Sequence, residues 1–254
     1  MKSRFPWYDS LWLSRYAQAC EIIEKSRPDL LDDFKKHFEV FRTDPSFSAV
    51  KSKRVLDSDF LIEARKVIES LQPTDLEKHE FFRMGRHVVH NHDFFTTLQR
   101  SLTDLVSDQA GEEVEPSYNF LSLYNNLGNC SIHMDSPQAK WTLDICIDQS
   151  DVWPIHFSKV LPWPEDMNQL GEDWAQQLKA DSENQFAAYD LKPGEAVLFS
   201  GSSQWHYREP IAQPKEKGHF CHLAFLHYVP KGTADWISPD SWAEKFGIPE
   251  LSGL

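Results

Sequence analysis

The sequence has few cysteines, and they are far apart. Cys20, Cys130, Cys146 and Cys221 are the only four in 254 residues, and no two of them form a CxxC pair. This spacing favours neither a zinc ribbon nor a framework of disulfides. We therefore expect a protein of the reducing cytoplasm, with a core that does not depend on covalent crosslinks.

Positive charge and long apolar runs are also scarce. Lys and Arg total 26 against 39 Asp and Glu, giving a net charge of -13, which argues against nucleic acid or an anionic membrane as a partner. No stretch approaches the roughly 20 apolar residues that span a bilayer, and the first residues lack the apolar core of a signal peptide. We expect a small-molecule partner, and the oligomeric state is not indicated.

The residues that are abundant are those of a packed globular domain. Hydrophobic residues make up 41% of the chain and aromatic residues 13%, with only ten glycines, so residues 1–254 are interpreted as a single domain. Apolar residues recur at helical spacing in four stretches before Gly111, which is a plausible helix stop: residues 12–23, 30–41, 60–71 and 94–105. Residues 1–115 are thus predicted to form a mainly helical layer.

From about residue 117 the pattern changes to short strands. Leu143, Ile145 and Ile147 alternate with polar residues, which is typical of a strand with one buried face. The turn sequence Pro193-Gly194 precedes a second apolar strand at 196–199, and a third follows at 220–229. These features predict an α+β fold with a β core over 116–232 and a C-terminal tail over 233–254. Residues 165–178 are predicted to form a polar helix, which would be a lid, an oligomer contact or a solvated surface helix.

Three residues in the strand region can meet at one metal ion. His133 and Asp135 are two apart in an extended segment, so their side chains point the same way, and His206 lies near a later strand. Two imidazoles and one carboxylate on one face of a metal are the ligand set of mononuclear non-haem Fe(II) oxygenases.

The order of motifs around these residues resembles the Fe(II)/2-oxoglutarate-dependent dioxygenase superfamily. The resemblance covers about 117–230 and rests on Tyr124-x-x-x-Gly128, His133-x-Asp135, Leu191-x-Pro193-Gly194-Glu195, Phe199, Gly201 and His206. It implies a double-stranded β-helix, or cupin-like jelly roll, with Fe(II) held by His133, Asp135 and His206, 2-oxoglutarate chelating the metal, and O2 as the last ligand. Related halogenases have Gly or Ala in place of the carboxylate, so Asp135 favours hydroxylation over halogenation.

The resemblance also implies a cation for the far carboxylate of 2-oxoglutarate. Families of this kind often place it about ten residues after the last histidine, where this chain has Lys215, Lys217 and His219 but no arginine. Arg208 shares the inward face of its strand with His206, one strand repeat of about 6.6–6.8 Å away, and a guanidinium binds a carboxylate through two hydrogen bonds. We therefore predict Arg208 as the anchor, the alternative being a salt bridge of Arg208 to an acid on a surface loop.

Other polar residues have a functional and a structural interpretation. Tyr124 and Asn126 are candidates to bind the same carboxylate, or else a core tyrosine and a turn asparagine. A histidine cluster, His87, His90, His92 and Asp93, would bind a second metal or consist of ordinary partly buried histidines. Two arginines, Arg83 and Arg86, would contact substrate or be solvated helix residues. Three histidines near the last strand, His219, His222 and His227, would contact cosubstrate or substrate if they point inward, or be core histidines.

These observations together predict an Fe(II)/2-oxoglutarate-dependent hydroxylase. The expected substrate is a small polar metabolite with an unactivated C–H bond, such as an amino acid or a biosynthetic intermediate. The alternatives are a peptide or protein hydroxylase of the same superfamily, and a cupin-like metal protein, either an isomerase or a binding module, without oxygenase activity.

Overall fold

Two antiparallel β-sheets form the centre of the molecule. A computed structural model describes residues 11–163, 173–211 and 218–254. The strands within these ranges are β1 (Val50–Ser52), β2 (Arg86–His90), β3 (Val114–Tyr124), β4 (Cys130–His133), β5 (Trp141–Gln149), β6 (Ile155–Phe157), β7 (Ala187–Tyr189), β8 (Ala196–Phe199), β9 (His206–Arg208) and β10 (Cys221–Pro230).

Helices precede, interrupt and follow the strands. The α-helices are α1 (Trp12–Ser26), α2 (Leu31–His37), α3 (Ser58–Ser70), α4 (Phe81–Met84), α5 (Asp93–Ser101), α6 (Thr103–Ala110), α7 (Trp174–Ala180) and α8 (Trp242–Lys245). Short 3-10 segments lie at Pro28–Leu30, Phe38–Phe41, Pro137–Ala139, Ser182–Asn184, Pro239–Ser241 and Pro249–Leu251. None of the helices in the described ranges has the length and apolar character needed to cross a membrane.

The strands from β3 to β10 wind as a double-stranded β-helix. The larger sheet has the order β1-β8-β5-β10-β3-β2 and the smaller sheet the order β4-β9-β6-β7, with antiparallel pairing throughout. The chain therefore crosses between the sheets as it proceeds, which is the jelly-roll arrangement that the sequence predicted. The strand after the Pro193-Gly194 turn is β8, and Gly194 has a φ of +87°, a conformation that favours glycine.

Strand β5 shows why the two faces of the larger sheet differ. Leu143 and Ile145 pack outward in the apolar cluster that includes Leu61 and Ala64 of α3, while Asp144 and Cys146 point into the barrel. The sequence predicted one buried face, but both faces are buried because helices cover the outside and the smaller sheet covers the inside. The inner polar residues of β5 are therefore inside the protein rather than in solvent.

Helices α1 and α2 pack with the C-terminal segment against the outside of the smaller sheet. Trp12 lies edge-on to Phe38 and Trp242, at centroid distances of 5.5 Å for both pairs. The indole nitrogen of Trp12 donates a hydrogen bond of 2.7 Å to the carbonyl of Ile237, which ties two segments 225 residues apart. The residues after 232 are thus part of the apolar core.

The N-terminal half of the chain also supplies strands, which its helical periodicity did not predict. Strands β1 and β2 extend the two ends of the larger sheet, and β2 pairs with β3 in the register Arg86 to Tyr124 and Val88 to Ser122. The run of apolar residues from 94 to 105 forms two helices, since α5 ends before Leu102 and α6 ends at Gly111, whose φ is +72°. The 165–178 prediction falls partly outside the described residues, and α7 is its described part.

Candidate active site

His133, Asp135 and His206 converge at one end of the barrel. His133 ends β4, His206 begins β9, and the two residues are direct partners in the sheet register. The candidate ligand atoms of the three side chains lie within 4.8 Å of one another. One carboxylate oxygen of Asp135, Oδ1, is 3.4 Å from His133 Nε2 and 3.5 Å from His206 Nε2. The arrangement predicted from the strand alternation is therefore present.

Backbone hydrogen bonds orient both imidazoles for metal binding. His133 Nδ1 donates to the carbonyl of Ser131 at 2.7 Å, and His206 Nδ1 donates to the carbonyl of Gln204 at 3.0 Å. A carbonyl only accepts, so each Nδ1 carries a proton, and in the neutral ring Nε2 has the lone pair that a metal binds. Metal-binding histidines usually have this second contact, which fixes the tautomer and the ring orientation.

A glycine next to the site allows the carboxylate to reach the imidazoles. A Cβ atom added to Gly201 would lie 2.4 Å from Asp135 Oδ2 and 2.5 Å from the carbonyl of Ala139. The backbone N–H of Asp135 donates to the Gly201 carbonyl at 2.8 Å, which keeps the two residues in contact. Any side chain at 201 would therefore displace either the carboxylate or the backbone.

The electrostatics of the site keep the carboxylate ionised. Burial alone would raise the pKa of Asp135, but His206 and His133 outweigh burial and hold that pKa well below its usual range. Burial also opposes charge on His133, whereas Cys130 and Asp135 raise the pKa of His133 well above its usual value. Positive charge beside Asp135 thus keeps its carboxylate ionised, and a divalent cation that displaces a proton from Nε2 would supply that charge in the same place.

The three residues form part of the lining of a cavity of about 360 Å³. Its inner wall includes Phe199 and Ile155, while the exposed Arg83 and His79 lie at its edge. Strands of both sheets contribute, because inner-face residues of β2, β3 and β10 face those of β4, β6 and β9. The candidate ligands therefore face an enclosed space large enough for small molecules.

Arg208 lines the same cavity, on the inner face of β9 that also carries His206. Its guanidinium donates to Asp144 Oδ2 at 2.6 Å and to the carbonyl of Trp153. Asp144 is completely buried, and burial raises its pKa, an effect that the charge of Arg208 opposes. The acid that pairs with Arg208 is thus inside the barrel, not on a surface loop, and its contact with 2-oxoglutarate stays a prediction.

The other anchor candidates lie in different places. The hydroxyl of Tyr124 is buried, and Arg86 Nη1 donates to it at 2.8 Å. Tyr124 is not among the residues lining the cavity, and it contacts the cavity-lining Arg86 instead. Asn126 is exposed in the turn after β3 and is not among the residues lining this cavity, so its placement does not support the predicted contact. His219 is 3.4 Å from Asp151 at the barrel surface. Lys215 and Lys217 lie outside the described residues.

The interpretation of both arginines as solvated helix residues is wrong for Arg86. It lies on β2, is 7% exposed and lines the cavity, whereas Arg83 is exposed on α4. Its Nε donates to Glu80, and its guanidinium carbon is 5.3 Å from the ring centre of Tyr124. The β-branched residues Val88 and Val89 in the segment 86–90 could have indicated a strand, but the segment was analysed as part of a histidine cluster in a helical region.

The rival histidine cluster does not assemble. His87 and His90 are three positions apart on β2 and therefore point to opposite faces of the sheet, and His92 caps α5 by accepting from the N–H of Phe94 at 3.3 Å. His90 instead contacts Glu77 through Nδ1 at 2.8 Å. Among the described residues, the one group of three or more potential ligands that could hold a metal is that of His133, Asp135 and His206.

His227 is the inward-facing histidine of β10, whereas His222 does not line the cavity. His227 is 2% exposed, its Nδ1 is 2.9 Å from Thr142 Oγ1, and its Nε2 has no hydrogen-bond partner among the described residues. Burial lowers the pKa of His227 to about 3, so this imidazole is neutral at physiological pH. The sequence indicated that an inward histidine here would face the site but not which atom would be free.

Comparison with solved structures identifies relatives of the fold at low sequence identity. HygX from Streptomyces hygroscopicus, solved with nickel and 2-oxoglutarate bound, has a TM-score of 0.52 and 9% identity over 74% of this chain and 85% of its own. AviO1 from Streptomyces viridochromogenes Tue57 has a TM-score of 0.53 and 16% identity over 77% of this chain and 94% of its own.

A third similar structure is the non-heme alpha ketoglutarate dependent epimerase SnoN from nogalamycin biosynthesis. Its TM-score is 0.50, with 15% identity over 72% of this chain and 82% of its own. No protein-family model matches the chain, and no curated protein matches its sequence. The chain thus shares the double-stranded β-helix fold of these proteins.

Proposed function

We propose that this protein is an Fe(II)/2-oxoglutarate-dependent oxygenase that hydroxylates a C–H bond of a small polar metabolite. The observation that carries the proposal is the donor set at the cavity. Two imidazoles and one ionised carboxylate meet there, with the Nε2 atoms of His133 and His206 at 3.4 and 3.5 Å from Asp135 Oδ1 and each imidazole fixed by a backbone carbonyl. This set matches the facial triad of non-haem Fe(II) enzymes, which leaves the opposite metal positions open.

The residues present fit the metal and cosubstrate that this function needs. When bound, Fe(II) and 2-oxoglutarate supply the oxidation, in which O2 converts the cosubstrate to succinate and CO2 and adds one oxygen atom to the substrate. His133, Asp135 and His206 would hold the metal. Arg208, one strand repeat along β9, would orient the far carboxylate of the cosubstrate, with Tyr124 as a further donor.

The apolar wall of the cavity has a separate task. Phe199 and Ile155 lie beside the candidate ligands and keep bulk water from that side of the site. Asp144 holds the guanidinium of Arg208 in one orientation, so the cosubstrate would meet a donor that is already in place. Preorganised donors of this kind lose little free energy to reordering when a ligand binds.

The size and polarity of the cavity support a small polar substrate. A volume of about 360 Å³ is near the lower end of the range for small-molecule sites, and two ligands must share it. Arg83, His79 and His90 line its edge and can bind polar groups. An amino acid or a biosynthetic intermediate meets both conditions, and a peptide side chain is the alternative that substrate screening would test.

All four cysteines are free thiols, and three of them are buried. Free buried cysteines persist in reducing compartments, so we infer a cytoplasmic protein.

Binding of the cofactors under nitrogen tests the proposal directly. We expect Fe(II) and 2-oxoglutarate together, but neither alone, to give a visible charge-transfer absorption band. The Asp135→Asn variant should lose most of this band, because a neutral amide is a poor metal ligand. Asp148→Asn is the matched control, since Asp148 pairs with Arg65 on the surface of α3 and does not line the cavity. Absence of the band in the native protein would overturn the proposal.

Product analysis then separates hydroxylation from other outcomes. In air, the loaded protein should convert 2-oxoglutarate to succinate slowly, and faster in the presence of its substrate. Mass spectrometry of candidate metabolites should show a gain of one oxygen atom. A product of unchanged mass and inverted configuration would replace hydroxylation by epimerisation. Metal binding without any succinate would instead favour the cupin-like binding protein or isomerase.

A further inference from the structure

Four rings form a stacked array on one wall of the cavity. Tyr118 and Phe120 lie on β3, and Phe225 and His227 lie beside them on β10. Tyr118 stacks on His227 with centroids 4.2 Å apart and an interplanar angle of 27°, and Phe120 stacks on Phe225 at 4.9 Å and 29°. All four rings line the cavity that contains the candidate metal ligands.

The imidazole of His227 is held by a hydrogen bond at Nδ1, and its backbone by a second hydrogen bond. Its Nδ1 pairs with Thr142 Oγ1 at 2.9 Å, and its backbone carbonyl accepts from Gln99 Nε2 at 2.6 Å. The stacking with Tyr118 sets the plane of the ring. A side chain held in this way has little freedom to turn, so its Nε2 occupies a defined position in the wall.

The Nε2 atom of His227, unlike Nδ1, has no hydrogen-bond partner among the described residues. It is also buried. Buried polar atoms without partners are uncommon in proteins because they lose their bonds to water and gain nothing in return. Because the same side chain lines the cavity, the missing partner would be a ligand bound there, once the neighbouring rings move enough to admit it.

The bond between Thr142 and His227 limits what that ligand can be. The Thr142 hydroxyl can donate to Nδ1 or accept from it, so Nε2 is a donor in one tautomer and an acceptor in the other. A hydroxyl group is complementary to both states, because it can donate and accept. The stacked rings form an apolar wall against which another ring can pack.

We propose that His227 positions the substrate by a hydrogen bond from Nε2 to a substrate hydroxyl, with the ring that bears the hydroxyl packed against the array of Tyr118, Phe120 and Phe225. The substrate class is therefore a small hydroxyl-bearing ring compound, either aromatic or saturated. Its assignment as the substrate rests on the proposed oxygenase function, whereas the binding itself does not require turnover. His227 is a positioning residue in this proposal and not a metal ligand.

Binding of matched probe pairs tests this proposal. The aromatic pair is 4-hydroxybenzoate and benzoate, and the saturated pair is 4-hydroxycyclohexanecarboxylate and cyclohexanecarboxylate. Each probe would be titrated calorimetrically into the protein loaded with Zn(II) and 2-oxoglutarate, which cannot turn over. In at least one pair we expect the hydroxylated member to bind about two- to tenfold more tightly, the value of one net hydrogen bond. The pair that shows the preference identifies the ring as aromatic or saturated.

Variants of His227 show whether the preference comes from Nε2. The preference should disappear in His227→Phe, which keeps a ring in the array, and return in part in His227→Gln, whose amide can reach the position of Nε2. His222→Phe is the matched control, because His222 lies on the same strand but does not line the cavity. If His227→Phe does not fold, as judged by circular dichroism, His227→Asn takes its place, since its amide reaches Thr142 but not the position of Nε2.

Three results would overturn the proposal: no binding by any of the four probes, no preference in either pair, or a preference that survives in His227→Phe. A loss of 2-oxoglutarate affinity in His227→Phe with the probe preference unchanged would assign Nε2 to the cosubstrate and also overturn it. Failure of the oxygenase proposal is a separate observation, since it would appear as a missing Fe(II)–2-oxoglutarate absorption band in the native protein.

Discussion

Removal of the Arg208 guanidinium should affect both stability and cosubstrate binding, and the structure shows how to separate the two effects. Arg208 is 2% exposed and its partner Asp144 is fully buried, and Oδ1 of Asp144 has no hydrogen bond to any residue that the structure describes. The Arg208→Leu variant therefore leaves a buried carboxyl group without a cation. Breaking a buried pair in this way costs about 3–5 kcal/mol, a large part of the 5–15 kcal/mol typical of a folded domain.

The double variant Arg208→Leu with Asp144→Leu removes this penalty. Replacing both members of a buried pair by apolar residues is often neutral or stabilising, so we expect the thermal midpoint to return towards that of the native protein. Affinity for 2-oxoglutarate should not return. A hydrogen bond to a charged group contributes about 1.5–3 kcal/mol, which corresponds to a loss of roughly ten- to a hundredfold in the dissociation constant.

The assay combines thermal unfolding with an anaerobic titration of the Fe(II)–2-oxoglutarate absorption band. Asp144→Asn serves as the control, because it keeps the guanidinium and removes a negative charge beside it, so cosubstrate affinity should be unchanged or higher. A double variant that binds 2-oxoglutarate as tightly as the native protein would refute the assignment of Arg208. Arg86, which lines the same cavity beside Tyr124, would then be the next cation to test.

Two further predictions concern the neighbours of the metal ligands. In Gly201→Ala, the new Cβ would lie 2.4 Å from Asp135 Oδ2, about 1 Å closer than ordinary contact. The affinity for Fe(II), measured by titration, should therefore fall at least tenfold. An affinity equal to that of the native protein would show that the carboxylate is not held there. His227 has a folded-state pKa of about 3 against an unfolded value near 6.5, so its contribution to stability is complete above pH 6.5 and is lost as the pH falls towards 3. Urea denaturation of the metal-free protein at several pH values should show the free energy of unfolding falling by up to about 1.4 kcal/mol per pH unit in this window. The fall should be smaller in His227→Phe. An equal dependence on pH in the native protein and the variant would contradict a buried neutral imidazole.

The convergence of the three candidate metal ligands could be predicted from the sequence because the geometry that brings them together is largely local. Alternation along a strand places His133 and Asp135 on one side, and a strand that starts at His206 needs only to lie beside β4 to complete the set. The sequence pattern of turns and apolar residues likewise indicated three strands of the barrel, β5, β8 and β10. Helix α1 and helix α3 followed from their periodicity, since each buries one apolar stripe.

The charge pairs inside the cavity could not be predicted, because they depend on distant residues. Asp144 and Arg208 are 64 positions apart and meet only once the two sheets face each other. Arg86 was interpreted as a helix residue, because nothing local shows that its segment pairs with β3, where Arg86 lies opposite Tyr124. Sequence patterns specify which face a side chain occupies, but its partner depends on the register of strands that are remote in the chain.

The bond from Trp12 to the carbonyl of Ile237 also bears on the order of folding. It closes a loop of 225 residues, and the entropy cost of closing a flexible loop rises with the logarithm of its length. That cost falls only after the strands between the two segments have collapsed into a barrel and brought their ends near each other. Contacts of such large sequence separation raise the contact order and slow folding. Until they form, the outer face of the smaller sheet, with Ile132 and Trp205, has no helical cover, so the partly folded chain exposes this apolar surface to aggregation.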